Sequence, residues 1–239
     1  MGEDLTELVR QLEARARNVQ SFVAEYRIEY HAGPMPFEVE GRMYFMRPDR
    51  SRSEARVNGK TIVSIRNGSR VRRYTPGGHE VWEYDLKEIP LSVPLNAGVD
   101  DLSSPFAAID QETLQYEGLE EAQERRRHVF IGRMRRIESE GLMDTRKGFS
   151  LRYQQKGPEV RMRMCLDPET GMVLEMVGSD KSGSPSFEKS FNLLEVNGAM
   201  DESMFSMEEP GPGYKVVQIS NLMIHAMNPD YADQPPSLN

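Results

Sequence analysis

The chain has 239 residues, 38% of them hydrophobic, a formal net charge of −8 and a mean hydropathy of −0.62. That length suits one large β domain or two small ones, and the negative balance argues against a dedicated nucleic-acid binder, because no global positive field favours phosphate. No run of about 18 apolar residues marks a membrane span, and Cys165 stands alone, so no internal disulfide can form.

The first element reads as a helix. Asp4 can cap it with Glu7 three residues on, as in a capping box, and Leu5, Leu8, Val9, Leu12, Ala16 and Val19 recur as one apolar stripe. After Asn18 the period changes to two: Phe22, Ala24, Tyr26, Ile28 and Tyr30 share one face of a long strand, with Val23, Glu25, Arg27 and Glu29 on the other. Gly33-Pro34-Met35-Pro36 then turns the chain.

Val39 to Asp85 reads as a meander of four or five strands. Val39, Gly41, Met43, Phe45 and Arg47 share a face, Asn58-Gly59 and Asn67-Gly68 supply the positive φ of hairpin turns, and Pro76-Gly77-Gly78 precedes a last strand along which Glu80, Trp82 and Tyr84 alternate. The prolines at Pro90 and Pro94 cannot sit in a central strand. Ser104-Pro105 predicts an N-cap and first turn of a short helix through Phe106, Ala107 and Ile109, lying over the sheet as a lid.

Strands resume at Gln115, with candidates at Arg127 to Met134, Arg135 to Glu140, Gly148 to Gln154 and Val160 to Asp167. In the last, Val160, Met162, Met164 and Leu166 face one way and Arg161, Arg163 and Cys165 the other. Asp167-Pro168-Glu169-Thr170-Gly171 predicts a turn, Met172 to Val177 and Phe187 to Val196 predict strands, and Asp201 to Phe205 one helical turn. Tyr214 to Ile219 is a final apolar run. No linker interrupts the chain, so residues 1–227 read as one domain and 228–239 as a flexible tail.

The composition carries 23 arginines against 7 lysines. Those of the meander read either as a solvated sheet face or as fork-shaped donors for a lipid phosphate or a partner's carboxylates. The 15 methionines fill a core or line a pocket that accepts differently shaped chains. Tyr26, Phe45, Trp82 and Tyr84 leave the same choice open. His31, His79, His128 and His225 show no metal-ligand spacing, no nucleophile elbow or phosphate loop is present, and Glu120-Glu121 and Asp100-Asp101 read as solvated surface. These features predict no enzyme, no metal and no cofactor. The Met-Gly-Glu-Asp start lacks the regions of a signal peptide, which leaves a cytoplasmic protein or one whose leader has been removed.

Four stretches, in order, resemble the LolA-like outer-membrane lipoprotein carrier group, which includes LolB-like receptors and RseB-like periplasmic regulators: LEARARNVQSFVAEYRIEY; EGRMYFMRPDRSRSE with NGKTIVSIRNGSRVRRY; LDPETGMVLEMVGSDKSG; and FEKSFNLLEVNGAMDESMFSMEEPGPGYKVV. The resemblance implies a strongly curved antiparallel sheet, a half β-barrel left unclosed, covered by the N-terminal helix and short lid helices. It implies a monomeric periplasmic carrier, its leader removed, that shelters lipid or lipoprotein acyl chains in an apolar hollow. Such a carrier passes its cargo from an inner-membrane transporter to an outer-membrane acceptor. Each exposed methylene costs about 0.8 kcal/mol, so a carrier must hide many. The hollow would be lined by Phe22, Tyr26, Met43, Phe45, Trp82, Phe106, Met162 and Met164, with Arg47 as the lid contact; the family's nearby aromatic position is Ser51 here. The alternative within the group is an RseB-like module that binds a protein partner, towards which the stretch YEGLEEAQERRRHVFIG leans.

Overall fold

Asp4 opens the first element of the computed structural model, which describes residues 4–31, 36–57, 59–87, 105–107, 109–122, 125–134, 143–144, 150–151, 159–207 and 213–218. Its carboxylate accepts from the Thr6 N–H at 3.0 Å and starts α1, Leu5–Asn18, satisfying one donor that the first turn leaves orphaned. Glu7, expected to complete a capping box, is taken up by Arg10 and Gln11. Those bonds, Arg10's first, hold its pKa down at about 2. Leu8, Leu12 and Ala16 are the buried stripe.

The chain enters β1, Ser21–Tyr30, directly, and the expected period holds: Phe22, Ala24, Tyr26 and Ile28 are buried and share a face. The meander comprises five strands: β2 (Phe37–Met46), β3 (Arg50–Val57), β4 (Lys60–Asn67), β5 (Arg70–Tyr74) and β6 (Glu80–Asp85). Gly68 and Gly77 take φ of +65° and +75° at its turns, which a residue without Cβ adopts cheaply. Then come β7 (Gln115–Ala122), β8 (Arg125–Arg133), the two-residue strands β9 (Met143–Asp144) and β10 (Ser150–Leu151), β11 (Arg161–Leu166), β12 (Val173–Ser179), β13 (Pro185–Val196) and β14 (Lys215–Gln218). β9 and β10 pair with each other. The others hydrogen-bond in the order β14, β6, β5, β4, β3, β2, β1, β13, β12, β11, β8, β7 as one curved sheet that is not closed into a barrel.

Three details differ from expectation. Pro105 to Ala107 form a turn and not the start of a helix: the Ile109 N–H bonds back to the Phe106 carbonyl, while Asp110 donates to Arg133 and Ile109 bridges Met134. Pairing with the end of β8 takes up the groups that a second helical turn would need. β14 is parallel to β6, whereas β3 to β6 pair antiparallel. A parallel neighbour needs a long connection, and here more than half the chain separates the two, since β6 ends at Asp85 and β14 begins at Lys215. Glu120 and Glu121, read from their polar context as solvated surface, lie in β7, where Glu120 is bound into ion pairs. The segments around Pro90 and Pro94, Arg135 to Glu140, Lys156-Gly157-Pro158 and 228–239 lie outside the described residues.

The residues cluster into two compact units interleaved along the chain: Met1–Val19, Glu25–Val39 and Asn96–Leu193 form one, and Gln20–Ala24, Glu40–Leu95 and Leu194–Asn239 the other. In the first, the Asp167 to Gly171 turn is closed by the Gly171 N–H on the Asp167 carbonyl at 2.8 Å, and by Asp167 Oδ2 accepting from the Thr170 N–H and hydroxyl. Gly171 has φ +70° and abuts the backbone of Leu12 and Ala16, with no room for a Cβ. Arg15 donates to the Pro168 carbonyl, so α1 is pinned to the β11–β12 turn.

In the second unit the 3-10 turn Glu202–Phe205 lies over β3 to β5. Asp201 caps it and Phe205 is buried. Asn67 Nδ2 donates to the Phe205 carbonyl at 3.5 Å, Arg52 to Met204 at 3.4 Å, and Arg72 to Met207. Arg72 is itself buried and ion-paired with buried Glu83.

Candidate functional site

Alternation on β11 is the starting point of the first unit's site. Met162, Met164 and Leu166 are fully buried on one face, and register extends that face sideways: Met164 lies opposite Phe130 on β8 and Met176 on β12, Met162 opposite Gly132 and Gly178. Phe106 meets Phe130 edge-on at 5.1 Å between centroids, and Tyr116 packs on Phe130 at 5.1 Å with its hydroxyl 2.8 Å from His128 Nδ1. Gly132 makes room for Ile109, whose Cγ2 would lie 2.8 Å from an added Cβ. Met172 and Met176 are also buried. Four flexible thioethers and a ring cluster therefore make up this face, each large side chain contributing roughly 1.5–3 kcal/mol by leaving water.

Of the residues expected to line a hollow, Tyr26, Phe106, Met162 and Met164 belong to this unit, and Phe22, Met43, Phe45, Trp82 and Arg47 to the other. In the second unit Phe22 and Phe45 stack at 5.1 Å, the Arg47 guanidinium lies 5.8 Å over the Phe45 ring, and Met43 is buried. Trp82 is half-buried, with its indole N–H 3.2 Å from Glu80. Phe130, central to the aromatic cluster, was missing from the expected set. Its strand was legible in His128-Val129-Phe130-Ile131, but both parities there are apolar, so the buried face was not.

The opposite face of the same strands is charged. Arg127 and Arg163 each bridge Glu120 and Glu175, at 3.0, 2.8, 2.5 and 3.0 Å, a closed ring of four charges that joins β7, β8, β11 and β12. The Arg127 hydrogen bond is the main reason the Glu120 carboxyl lies below its usual pKa. Beneath the ring, Cys165 is fully buried. Burial, helped by Glu175, pushes its thiol up to about 11, so it is no nucleophile at neutral pH.

Beside the ring a groove of about 990 Å³ crosses this face, floored by Ile131 and Val177 and flanked by Glu117, Arg161 and Lys181. Met162 also touches it, the one member of the expected hollow set among its described lining. Glu159 is bridged there by Arg133 at 3.3 Å and Lys181 at 3.6 Å. The Arg133 hydrogen bond and the Lys181 charge hold its pKa down.

The arginines of the meander are mostly consumed within the molecule: Arg50 pairs with Glu202, Arg52 with Glu54, Arg56 with Glu40, Arg70 and Arg72 with Glu83, and Arg66 donates to the Gly68 carbonyl. Arg72 is buried with its partner, whereas Arg56 and Arg70 remain exposed, as a solvated sheet face requires. Among the described residues no cluster of His, Cys, Asp or Glu could hold a metal ion, and no helix is long and apolar enough to cross a membrane.

No family model and no curated protein matches the sequence. Among solved structures, an uncharacterized conserved protein from Thermus thermophilus is similar over 91% of this chain and 100% of that one, at 14% identity and a TM-score of 0.54. The Pseudomonas aeruginosa MucA/MucB complex is similar over 91% of this chain and 64% of that chain, at 13% identity and a TM-score of 0.48. Mycobacterium tuberculosis lipoprotein LppX is similar over 83% and 99%, at 10% identity and a TM-score of 0.44. At these identities the likeness is one of fold, and it is the Thermus thermophilus structure that carries it: the chain shares that protein's fold over 91% of its length.

Proposed function

We propose that this protein binds lipid or lipoprotein acyl chains in a bacterial envelope compartment and carries them without covalent chemistry. The observation behind this reading is the apolar face around Met162, Met164, Met172, Met176, Phe106 and Phe130. It belongs to an open sheet whose ordered motifs resemble those of LolA-like carriers. Unbranched thioethers repack around chains of different shape at little energetic cost, which suits a face that is filled by its own side chains when empty and by cargo when loaded. Residues 1–227 would act as one domain, since each unit is assembled from three separated segments. Native mass spectrometry with lipid extraction of the same sample tests it. A discrete adduct of acyl-chain mass, lost when Met164 is replaced by a bulky polar residue in a folded variant, is the expected result. No adduct, together with no uptake of a fluorescent fatty-acyl probe, would sink it.

One observation favours a second reading, a protein-binding module. The groove of about 990 Å³ is floored by apolar residues but rimmed by charges of both signs, a composition suited to a polypeptide and not to an acyl chain.

A further inference from the structure

β7 ends the sheet. Among the described residues its one neighbour in the hydrogen-bonded order is β8, so the far edge of Gln115–Ala122 presents N–H and C=O groups with no strand partner among those residues, a template for another chain. A bulge between Tyr116 and Gly118 confines irregularity to the start of the strand, and Leu119 to Ala122 pair in step with His128 to Arg125. No β7 residue is buried, and Leu119 is 50% exposed. β7 contains no proline or lysine, two of the usual devices for blunting an edge.

The charged side chains of β7 itself are all acidic, with Arg126 of β8 in register beside Glu121. Glu120 is held by Arg127 and Arg163, but the carboxylates of Glu117 and Glu121, and of Glu112 in the preceding turn, have no partner among the described residues. Glu112 and Glu117 stand where the groove opens at the edge. We propose that β7 takes an extended basic segment of a partner protein as an added strand, its main chain completing the ladder along Leu119 to Ala122 and its cationic side chains meeting Glu117 on the groove face or Glu121 on the face opposite. A second copy of this chain is disfavoured, because β7 against β7 sets acidic residues opposite acidic residues. The molecule shows at its other sheet edge that four residues suffice: β14 adds to β6 through Lys215 to Gln218 with no buried side chain.

This inference rests on the second reading above. The test uses the full chain with three short fluorescent peptides: a Lys-Val repeat, a Lys-Pro repeat of equal charge that cannot build a ladder, and a Glu-Val repeat. The Lys-Val peptide is expected to bind at least about tenfold more tightly than either other and to slow amide exchange at residues 117–122. Replacing Glu117→Lys together with Glu121→Lys, both exposed, is expected to turn the preference towards Glu-Val while circular dichroism stays unchanged. Equal binding of Lys-Pro would overturn the proposal, since charge alone would explain it. Slowed exchange along Ile131 and Val177 without any at β7 would overturn the edge and keep the groove. No protection at either place would overturn both.

Discussion

Around β11 the sheet presents Met162, Met164 and Leu166 to a covering built of side chains, with α1 held at the margin by the close approach of Leu12 to Gly171. Around β5 it presents Arg72, whose guanidinium is buried against Glu83 and grips the Met207 carbonyl, while Arg52 and Asn67 grip those of Met204 and Phe205. The first covering is non-directional and adjusts to shape. The second is a set of directional bonds that admits one register. Opening the first separates side chains that carry no charge, whereas opening the second strands a buried charge.

The largest effect should come from breaking the directional side. Replacing Arg72→Leu leaves Glu83 buried without its main partner and is expected to cost about 3 kcal/mol, read as a lowered urea midpoint, with residues 201–207 exchanging amide protons faster. Next, Gly171→Ala forces a Cβ against the Leu12 carbonyl at a φ of +70° and is expected to cost about 2–3 kcal/mol. It should loosen α1 and leave residues 201–207 protected; faster exchange at both places would show that the two coverings are not independent.

The directional covering should also respond to acid. Burial raises the Glu83 pKa, but hydrogen bonds from Arg72 and Gln218 and the charges of Arg72 and Arg70 outweigh it, so the folded value lies below the ordinary 4.5. A depressed carboxylate contributes stability above its unfolded pKa and loses it as pH falls through the folded one. The urea midpoint should therefore drop as pH falls below about 4.5, and the drop should shrink in Glu83→Gln. An unchanged pH profile in that variant would remove Glu83 as the cause. Smallest is the cap: Asp4→Ala is expected to cost about 1 kcal/mol, visible as faster exchange in the first turn of α1 alone.

Much of the architecture was legible because it is local. The stripe of Leu8, Leu12 and Ala16, the alternation Phe22 to Ile28, the Asn-Gly and Asp-x-x-Thr-Gly turns and the opposite parities of Met162 and Arg163 are short-range consequences of helix and strand periods. The helix predicted from Ser104-Pro105 failed because Asp110 and Ile109 pair with the end of β8, a long-range competitor that local propensity cannot register. The charge ring was illegible for the same reason: Glu120, Arg127, Arg163 and Glu175 become neighbours only through strand register.

The sequence by itself determined where most strands and turns fall and, where apolar and polar residues alternate as in β1 and β11, which parity is buried, since backbone periodicity and the hydrophobic effect act within a few residues. Only the tertiary structure decided that β14 joins β6 in parallel, that Arg72 is buried against Glu83, and that β7 has one strand neighbour among the described residues. Those outcomes depend on which strands become neighbours, and neighbours far apart in the chain leave no local trace in it.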